Sequence, residues 1–448
     1  MKEEVPIKKN EEYVVKIADY GTDGEGIAKI NDFTVFVAGA LKNEKCKIHI
    51  TKVLSSYAYA KIVEILEKSE HRVQSDCKTY PKCGGCSLRH IDYKETLQIK
   101  RQKVQNLVNK MLNDKIIVDE TVGMDKPVFY RNKAIYPISQ NKMPGIFAAR
   151  SHDVIEFEEC KIQTINSQKI AKFILEKWND TIYDEKTGKG LLRNIMIREG
   201  FATNEIMVVL VQNGEKKYDA SNLVKEFPNI KTVVVNVNTK NTNVVLANKN
   251  IICYGDGFIY DKLGDYTFKI SPNSFYQVNP KQTEKLYNLA VEKANLKADD
   301  ILCDLYCGIG TIGIFASKFV KKVYGIEIVE SAVKDANENA KLNNVNNIEF
   351  ILGDTEKAFD SLLKNDIKPT VVIVDPPRKG LDDTTIENLC KLKLDRVVYV
   401  SCNPATLVRD LAKMEDIYIV KSITPVDNFC YSSHVESVAV LELKWFWR

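Results

Sequence analysis

Between about residues 280 and 400 the chain alternates short apolar runs with helical stretches, and that alternation leaves few folds open. Lys281 to Asn295 has helical periodicity. Ile301 to Leu305 reads as a strand, Gly313 to Phe319 as a helix, Lys322 to Ile326 as a strand and Ser331 to Asn343 as a helix; Ile348 to Ile351 and Thr370 to Val374 are further strands. Strands separated by helices must cross over to pair, and repeated crossovers build a parallel sheet with helices on both faces. In such sheets ligands bind beyond the carboxyl ends of the strands, so chemistry is expected there.

The strand ends carry a consistent set of residues. The first strand runs into Asp304-Leu305-Tyr306-Cys307-Gly308-Ile309-Gly310-Thr311, where two glycines let a backbone approach a ligand closely. Gly308, Gly310 and Gly313 also fit the G-x-G-x-x-G spacing of dinucleotide-binding turns, so the glycines alone do not separate the two classes. The second strand ends at Glu327, placed to accept hydrogen bonds from ribose hydroxyls. Gly353-Asp354 follows the third, where a polar group can reach an adenine edge, and the fourth ends Asp375-Pro376-Pro377-Arg378. This order resembles the class I methyltransferase fold, and Asp-Pro-Pro is the part that a dinucleotide enzyme lacks.

The next strand closes on Tyr399-Val400-Ser401-Cys402-Asn403-Pro404, and His434-Val435-Glu436 follows. A lone cysteine is usually an inert buried thiol and a lone glutamate plain surface. Together at the carboxyl edge of a sheet they suit one difficult problem. Carbon 5 of uracil is too weak a nucleophile to take a methyl group until a thiolate adds at carbon 6. A base must then remove the carbon-5 proton so that the thiolate can leave. Cys402 is the expected nucleophile and Glu436 the expected base.

Upstream, residues 12–66 form short alternating runs separated by turn residues, as in a small all-β barrel. Residues 91–113 read as a helix with Leu97, Val104, Leu107, Val108 and Met111 on one face. Around it Arg89, Lys94, Lys100, Arg101, Lys103 and Lys110 outnumber Asp92 and Glu95, either as a solvated face or as a phosphate-facing surface. Residues 128–270 are mixed and strand-rich; Arg131, Lys133 and Arg193 are candidate RNA contacts or ordinary surface. Cys77, Cys83 and Cys86 sit close together and Cys160 far downstream. Four thiolates can hold zinc or a [4Fe–4S] cluster, and three plus one remote leans toward iron–sulfur.

These strings resemble those of the uracil-5 RNA methyltransferases, in particular the ribosomal-RNA branch that carries an iron–sulfur cluster. The matching segments are Phe275-Tyr276-Gln277-Val278-Asn279, DLYCGIGT at 304–311, DPPRKG at 375–380, SCNP at 401–404 and HVE at 434–436. The resemblance runs over nearly the whole chain. It implies an α/β fold in three parts: a TRAM-like, OB-type RNA-binding β-barrel over 1–68, a central α+β domain with the cluster over 69–270, and a Rossmann-like class I methyltransferase domain over 271–448. It implies S-adenosylmethionine contacts from Gln277, Tyr306, Thr311, Glu327, Asp354 and Asp375. It also implies cluster ligation by Cys77, Cys83, Cys86 and Cys160, a target base flipped out of its stack, and 23S ribosomal RNA rather than transfer RNA as substrate. Before HVE the family has a Met-Phe-Pro-His-like stretch where this chain has Asn428-Phe429-Cys430-Tyr431.

An amino-group methyltransferase would leave Cys402 and Glu436 idle. A methylthiotransferase would need the C-x3-C-x2-C spacing that is missing here. A non-catalytic RNA-binding protein would not need intact catalytic strings. With no apolar run behind the N-terminus and no apolar stretch of about 20 residues, a cytoplasmic enzyme with free thiols and no membrane contact, acting as a monomer, is expected.

Overall fold

The computed structural model describes residues 5–113, 115–149, 151–242, 244–364 and 367–447. Its N-terminal sheet has the strand order Glu12–Lys16, Lys45–Val53, Tyr57–Glu67, Phe33–Ala38, Gly26–Ile30, Asp19–Tyr20. The first and last of these are two halves of one interrupted strand, so pairing them at opposite edges closes the sheet on itself. Phe33–Ala38 and Tyr57–Glu67 run parallel while the other neighbours are antiparallel, which is the connectivity of an OB-type barrel. Alternation explains the interior: Val35 and Val37, Ile48 and Ile50, Ala58 and Ala60 all point inward and are buried. At its base the fully buried Glu44 accepts from Leu41 N at 2.8 Å and from Arg72 Nη2 at 2.8 Å, tying the barrel to the segment that follows.

The helix predicted over 91–113 is observed at Tyr93–Met111, capped by Asp92, whose side chain accepts from Glu95 N at 2.9 Å. Of its expected apolar face, Val104 and Val108 are buried and Leu107 and Met111 pack against the same core, but the buried face is wider than expected. Thr96, Ile99, Lys100, Val104 and Val108 are the buried residues, and Lys100 is fully enclosed. Arg89 is buried too, paired with Asp76 at 2.6 Å, and Lys103 donates to Ser433 O at 3.0 Å. Arg101 Nε donates to Val118 O at 2.9 Å, so the phosphate-facing reading loses four of its six cations to structural contacts. Val104 and Val108 join Leu407, Leu411 and Tyr418 in one apolar core, so this helix covers the C-terminal sheet from 300 residues away in sequence.

The middle sheet has the order Asn250–Tyr254, Ile230–Val237, Ile206–Gln212, Leu192–Glu199, Lys133–Pro137. Leu192–Glu199 and Ile206–Gln212 are buried at every residue, which requires both faces to be covered. Ile195, Ile197, Val208 and Leu210 face the helix Ile165–Glu176, while Met196, Met207 and Val209 pack with Leu286 and Tyr287 of the helix Pro280–Ala294. Arg193, a candidate RNA contact, is instead buried: Nη1 donates to Asn238 O at 3.0 Å and the guanidinium stacks on Tyr183 at 4.4 Å.

The C-terminal sheet has seven strands in the order Ile348–Leu352, Lys322–Glu327, Ile301–Leu305, Val371–Val374, Arg396–Ser401, Glu436–Leu443, Tyr418–Val426. The first five are parallel; the last two form an antiparallel hairpin on the edge. This is the class I methyltransferase topology, and every expected strand of 301–374 is present within a residue or so of its expected limits. Among the described residues no helix is long and apolar enough to cross a membrane. Replacing Arg72 by Met leaves the buried Glu44 carboxylate unpaired, and we expect a loss of about 3 kcal/mol in denaturant unfolding of the barrel.

Candidate active site

The parallel strand order reverses between Ile301–Leu305 and Val371–Val374, and a cavity of about 670 Å³ opens beyond their carboxyl ends. All eight residues expected to bind cofactor or perform catalysis line it: Gln277, Tyr306, Thr311, Glu327, Asp354, Asp375, Cys402 and Glu436. Sequence distance between the first and last is 159 positions, and only the fold gathers them.

The glycine turn is built for close approach. Tyr306, Gly308 and Gly310 all have positive φ, at 66°, 55° and 80°. A Cβ on Gly310 would meet the Phe350 ring at 2.5 Å, so glycine is required there twice over. Glu327 at the second strand tip accepts from Gly308 N at 3.0 Å and from Val329 N at 2.9 Å. These bonds fix its carboxylate at the cavity wall. Beneath the turn, the fully buried Asp304 accepts from Gly313 N at 2.8 Å, and burial pushes its carboxyl up to about 8. Tyr306 OH donates to Asp382 Oδ2 at 3.3 Å, and Thr311 Oγ1 lies 3.2 Å from Tyr287 OH. Asn428 Nδ2 donates to Gln277 Oε1 at 3.3 Å.

Cys402 and Glu436 meet through strand register. Ser401 pairs with Ser437 in the antiparallel ladder, so Cys402 and Glu436 are the next residues along the two strands and share a face. Burial pushes the Glu436 carboxyl up to about 8, with the Asp375 charge adding to the shift and Arg378 opposing it. Burial likewise pushes Asp375 up to about 7. The Cys402 thiol is pushed up to about 11, first by burial and then by the Glu436 and Asp375 charges, with Arg378 again opposing. The pocket thus gathers a thiol, two buried carboxyls and the side chains of Arg378 and Lys379. Sequence reasoning missed Phe275, Ile328, Asp382 and Phe429, which also line the cavity. Phe275 and Ile328 are 68% and 62% exposed; Phe275 lies inside a matching string but is not singled out by it, and the exposed apolar Ile328 beside a cavity leaves no sequence signal.

The four candidate metal ligands also converge. Cys77, Cys83, Cys86 and Cys160 ring a small cavity of about 20 Å³ with Arg89 and Ile162, and Gly85 N donates to Cys83 Sγ at 3.3 Å. All four are free thiols. Among the described residues, no group of three or more His, Cys, Asp or Glu side chains is gathered closely enough to hold a single metal ion.

The sheet order, the glycine turn and the acidic strand tips define a class I S-adenosylmethionine-dependent methyltransferase. Residues 92–444 match the model of the tRNA (Uracil-5-)-methyltransferase family and residues 6–63 that of the TRAM domain, so the chain belongs to the uracil-5 RNA methyltransferases and begins with a TRAM module. An RNA methyltransferase of Clostridium tetani is 44% identical over 452 residues, covering 98% of each chain. Another, from Staphylococcus aureus, is 42% identical over 98% of this chain and 99% of its own. Among solved structures, the Pyrococcus abyssi tRNA (uracil-54, C5)-methyltransferase in complex with S-adenosyl-L-homocysteine is similar over 96% of this chain and 99% of its own, with 27% identity and a TM-score of 0.78.

Gly310→Ala should strain the turn and press on Phe350. We expect a loss of about 1–3 kcal/mol in stability, read by chemical denaturation, together with weakened S-adenosylhomocysteine binding by calorimetry.

Proposed function

We propose that this enzyme methylates carbon 5 of a uridine through a covalent adduct between Cys402 and uracil carbon 6. The observation that carries the reading is the register that sets Cys402 beside Glu436 in the cavity. Gln277, Tyr306, Thr311, Glu327, Asp354 and Asp375 hold S-adenosylmethionine: Glu327 takes the ribose hydroxyls and Asp354 lies at the adenine end. When bound, the cofactor supplies an electrophilic methyl group and a positive charge.

The chain's own residues do the rest. Cys402 sulfur bonds to carbon 6, and the displaced π electrons make carbon 5 nucleophilic. Arg378 opposes the charge of the thiolate that this step needs. Once carbon 5 carries the methyl group, Glu436 takes its proton, the carbon 5–carbon 6 double bond re-forms and the Cys402 sulfur leaves. Burial raises both the Glu436 and the Asp375 carboxyls, which lessens the negative charge that opposes the thiolate near neutral pH.

Labour is divided among residues 1–68 as the RNA-binding barrel, 69–270 as the cysteine-bearing middle and 271–448 as the catalytic domain. The middle holds a [4Fe–4S] cluster on Cys77, Cys83, Cys86 and Cys160. The donor set fits: four thiols around one cavity, an amide aimed at sulfur, and Arg131 nearby with a buried Nε that has no hydrogen-bond partner. A cluster spans more space than one ion, which accords with thiols that share a cavity but do not close on a single point. Its work is to brace the chain or position RNA. The substrate is ribosomal RNA, as the cysteine motif's resemblance implies. A second reading is transfer RNA, favoured by the substrate in the name of the P. abyssi protein.

Incubation with S-adenosylmethionine and RNA carrying [5-³H]uridine should release tritium, and Cys402→Ala should abolish the release. Methyl transfer without release would move the methyl group to another atom and overturn the reading. Transcripts of 23S ribosomal RNA and of transfer RNA, run in parallel, decide the substrate.

Only ionised Glu436 can take a proton, and its ionised fraction grows as pH rises toward about 8. Tritium release should therefore climb with pH and level off above about 8. Glu436→Gln should remove that limb and leave an SDS-stable protein–RNA adduct.

Enzyme prepared without oxygen should contain about four iron and four sulfide per chain, and Cys83→Ser should lower both. Zinc in their place would overturn the cluster assignment.

A further inference from the structure

The nine residues 427–435 form a strap that joins Tyr418–Val426 to Glu436–Leu443, and the pair nearest the strap is Val426 with Glu436. The proposed base is thus the first residue after a long loop. A nine-residue hairpin loop does not fix strand direction at its mouth by turn geometry alone. Something outside must hold it.

Asn279 and Gln282 donate to Asn428 O and Asp427 O at 3.2 Å, and the rest of the support comes from segments about 300 positions or more earlier. Lys100 forms an ion pair with Asp427, and both side chains are fully buried. The same ammonium donates to Phe429 O at 3.0 Å. Tyr93 OH donates to the other Asp427 oxygen at 2.7 Å and accepts from Met124 N at 2.8 Å. Farther along, Ser87 N and Leu88 N both donate to Tyr431 O at 3.0 Å. Lys103 Nζ donates to Ser433 O at 3.0 Å, and Ser433 N donates to Ser87 Oγ at 2.9 Å. The strap is pinned at its start, middle and end.

Lys100 sits where a helix would ordinarily carry an apolar residue, between Thr96 and Val104 on the buried face. Apolar packing there would stabilise the helix without fixing direction, whereas a buried charge pair with satisfied hydrogen bonds fixes one register. The pair lies one residue beyond Val426, whose partner in the ladder is Glu436, and its ammonium also holds the carbonyl of Phe429, which lines the catalytic cavity.

We propose that Lys100 is a positioning residue for Glu436: by locking Asp427 and Phe429 it sets the register of the strap and so the direction from which the Glu436 carboxylate enters the cavity. This rests on the reading of Cys402 as nucleophile and Glu436 as base. The proton-removal step depends on that direction; the earlier bond from Cys402 to carbon 6 does not. Loss of the lock should therefore slow one step and leave the other.

The test uses the full chain, S-adenosylmethionine and [5-³H]uridine RNA, and follows tritium release and SDS-stable adduct together. In Lys100→Met we expect release to fall about a hundredfold while adduct accumulates. S-adenosylhomocysteine affinity should stay within about twofold of the parent. Lys100→Met leaves Asp427 buried and unpaired, so the double variant Lys100→Met/Asp427→Leu, with no charge left to pair, guards against loss of folding; it should bind S-adenosylhomocysteine and still accumulate adduct. Release at the parental rate in either folded variant overturns the proposal, and so does joint loss of adduct and release. A parent enzyme that releases no tritium, or a Cys402→Ala enzyme that still does, overturns the underlying reading instead.

Discussion

The pairing of Ser401 with Ser437 is the contact on which the catalytic arrangement depends. Side chains along a strand alternate faces, so a slip of one residue would turn Glu436 away from Cys402. The register is held by burial. Val397 to Val400 and Val438 to Leu441 are enclosed on both faces, and a slip would drive each set of side chains into the opposite core, where its shape does not fit. The packing that stabilises the sheet therefore also brings Cys402 and Glu436 to the same cavity.

Burial has a second effect. The same enclosure raises the Glu436 and Asp375 carboxyls and the Cys402 thiol together, which a water-filled cleft would not do. With its carboxyl pushed up to about 8, Glu436 has more proton affinity than a free carboxylate, as the base role proposed for it requires. Arg378 is the cation that opposes these shifts, and it comes from the loop after the Asp-Pro-Pro strand end.

The N-terminal segments are more than an RNA-binding attachment. The helix Tyr93–Met111 completes the apolar layer over the C-terminal sheet with Val104 and Val108 and grips the strap that leads to Glu436. The middle sheet is buried on both faces because the helix Pro280–Ala294 fills the second face. The chain's parts share cores, and the cysteine-bearing segment touches the catalytic strap directly at Ser87, Leu88 and Tyr431.

Much of this was legible in the chain itself. Period-2 alternation located the barrel strands, and the strand–helix alternation fixed the parallel sheet, because these periods follow from backbone geometry. The strand-end residues could be read for the same reason: ligand groups must sit where strands end, so Glu327, Asp375 and Cys402 were identifiable without coordinates. Sequence could not show which side chains turn inward when a face is covered from afar. Lys100, Arg89 and Arg193 read as surface cations and are buried, since their partners Asp427, Asp76 and Tyr183 lie at separations no local period encodes. Phe429 and Asp382 entered the cavity unannounced for that reason too. The sequence by itself determined the parallel sheet and the glycine turn at its first strand end, because local periodicity and residue type suffice for those. Only the tertiary structure decided that Glu436 faces Cys402 and that Lys100 holds the strap, because register and long-range ion pairing exist only once distant segments pack.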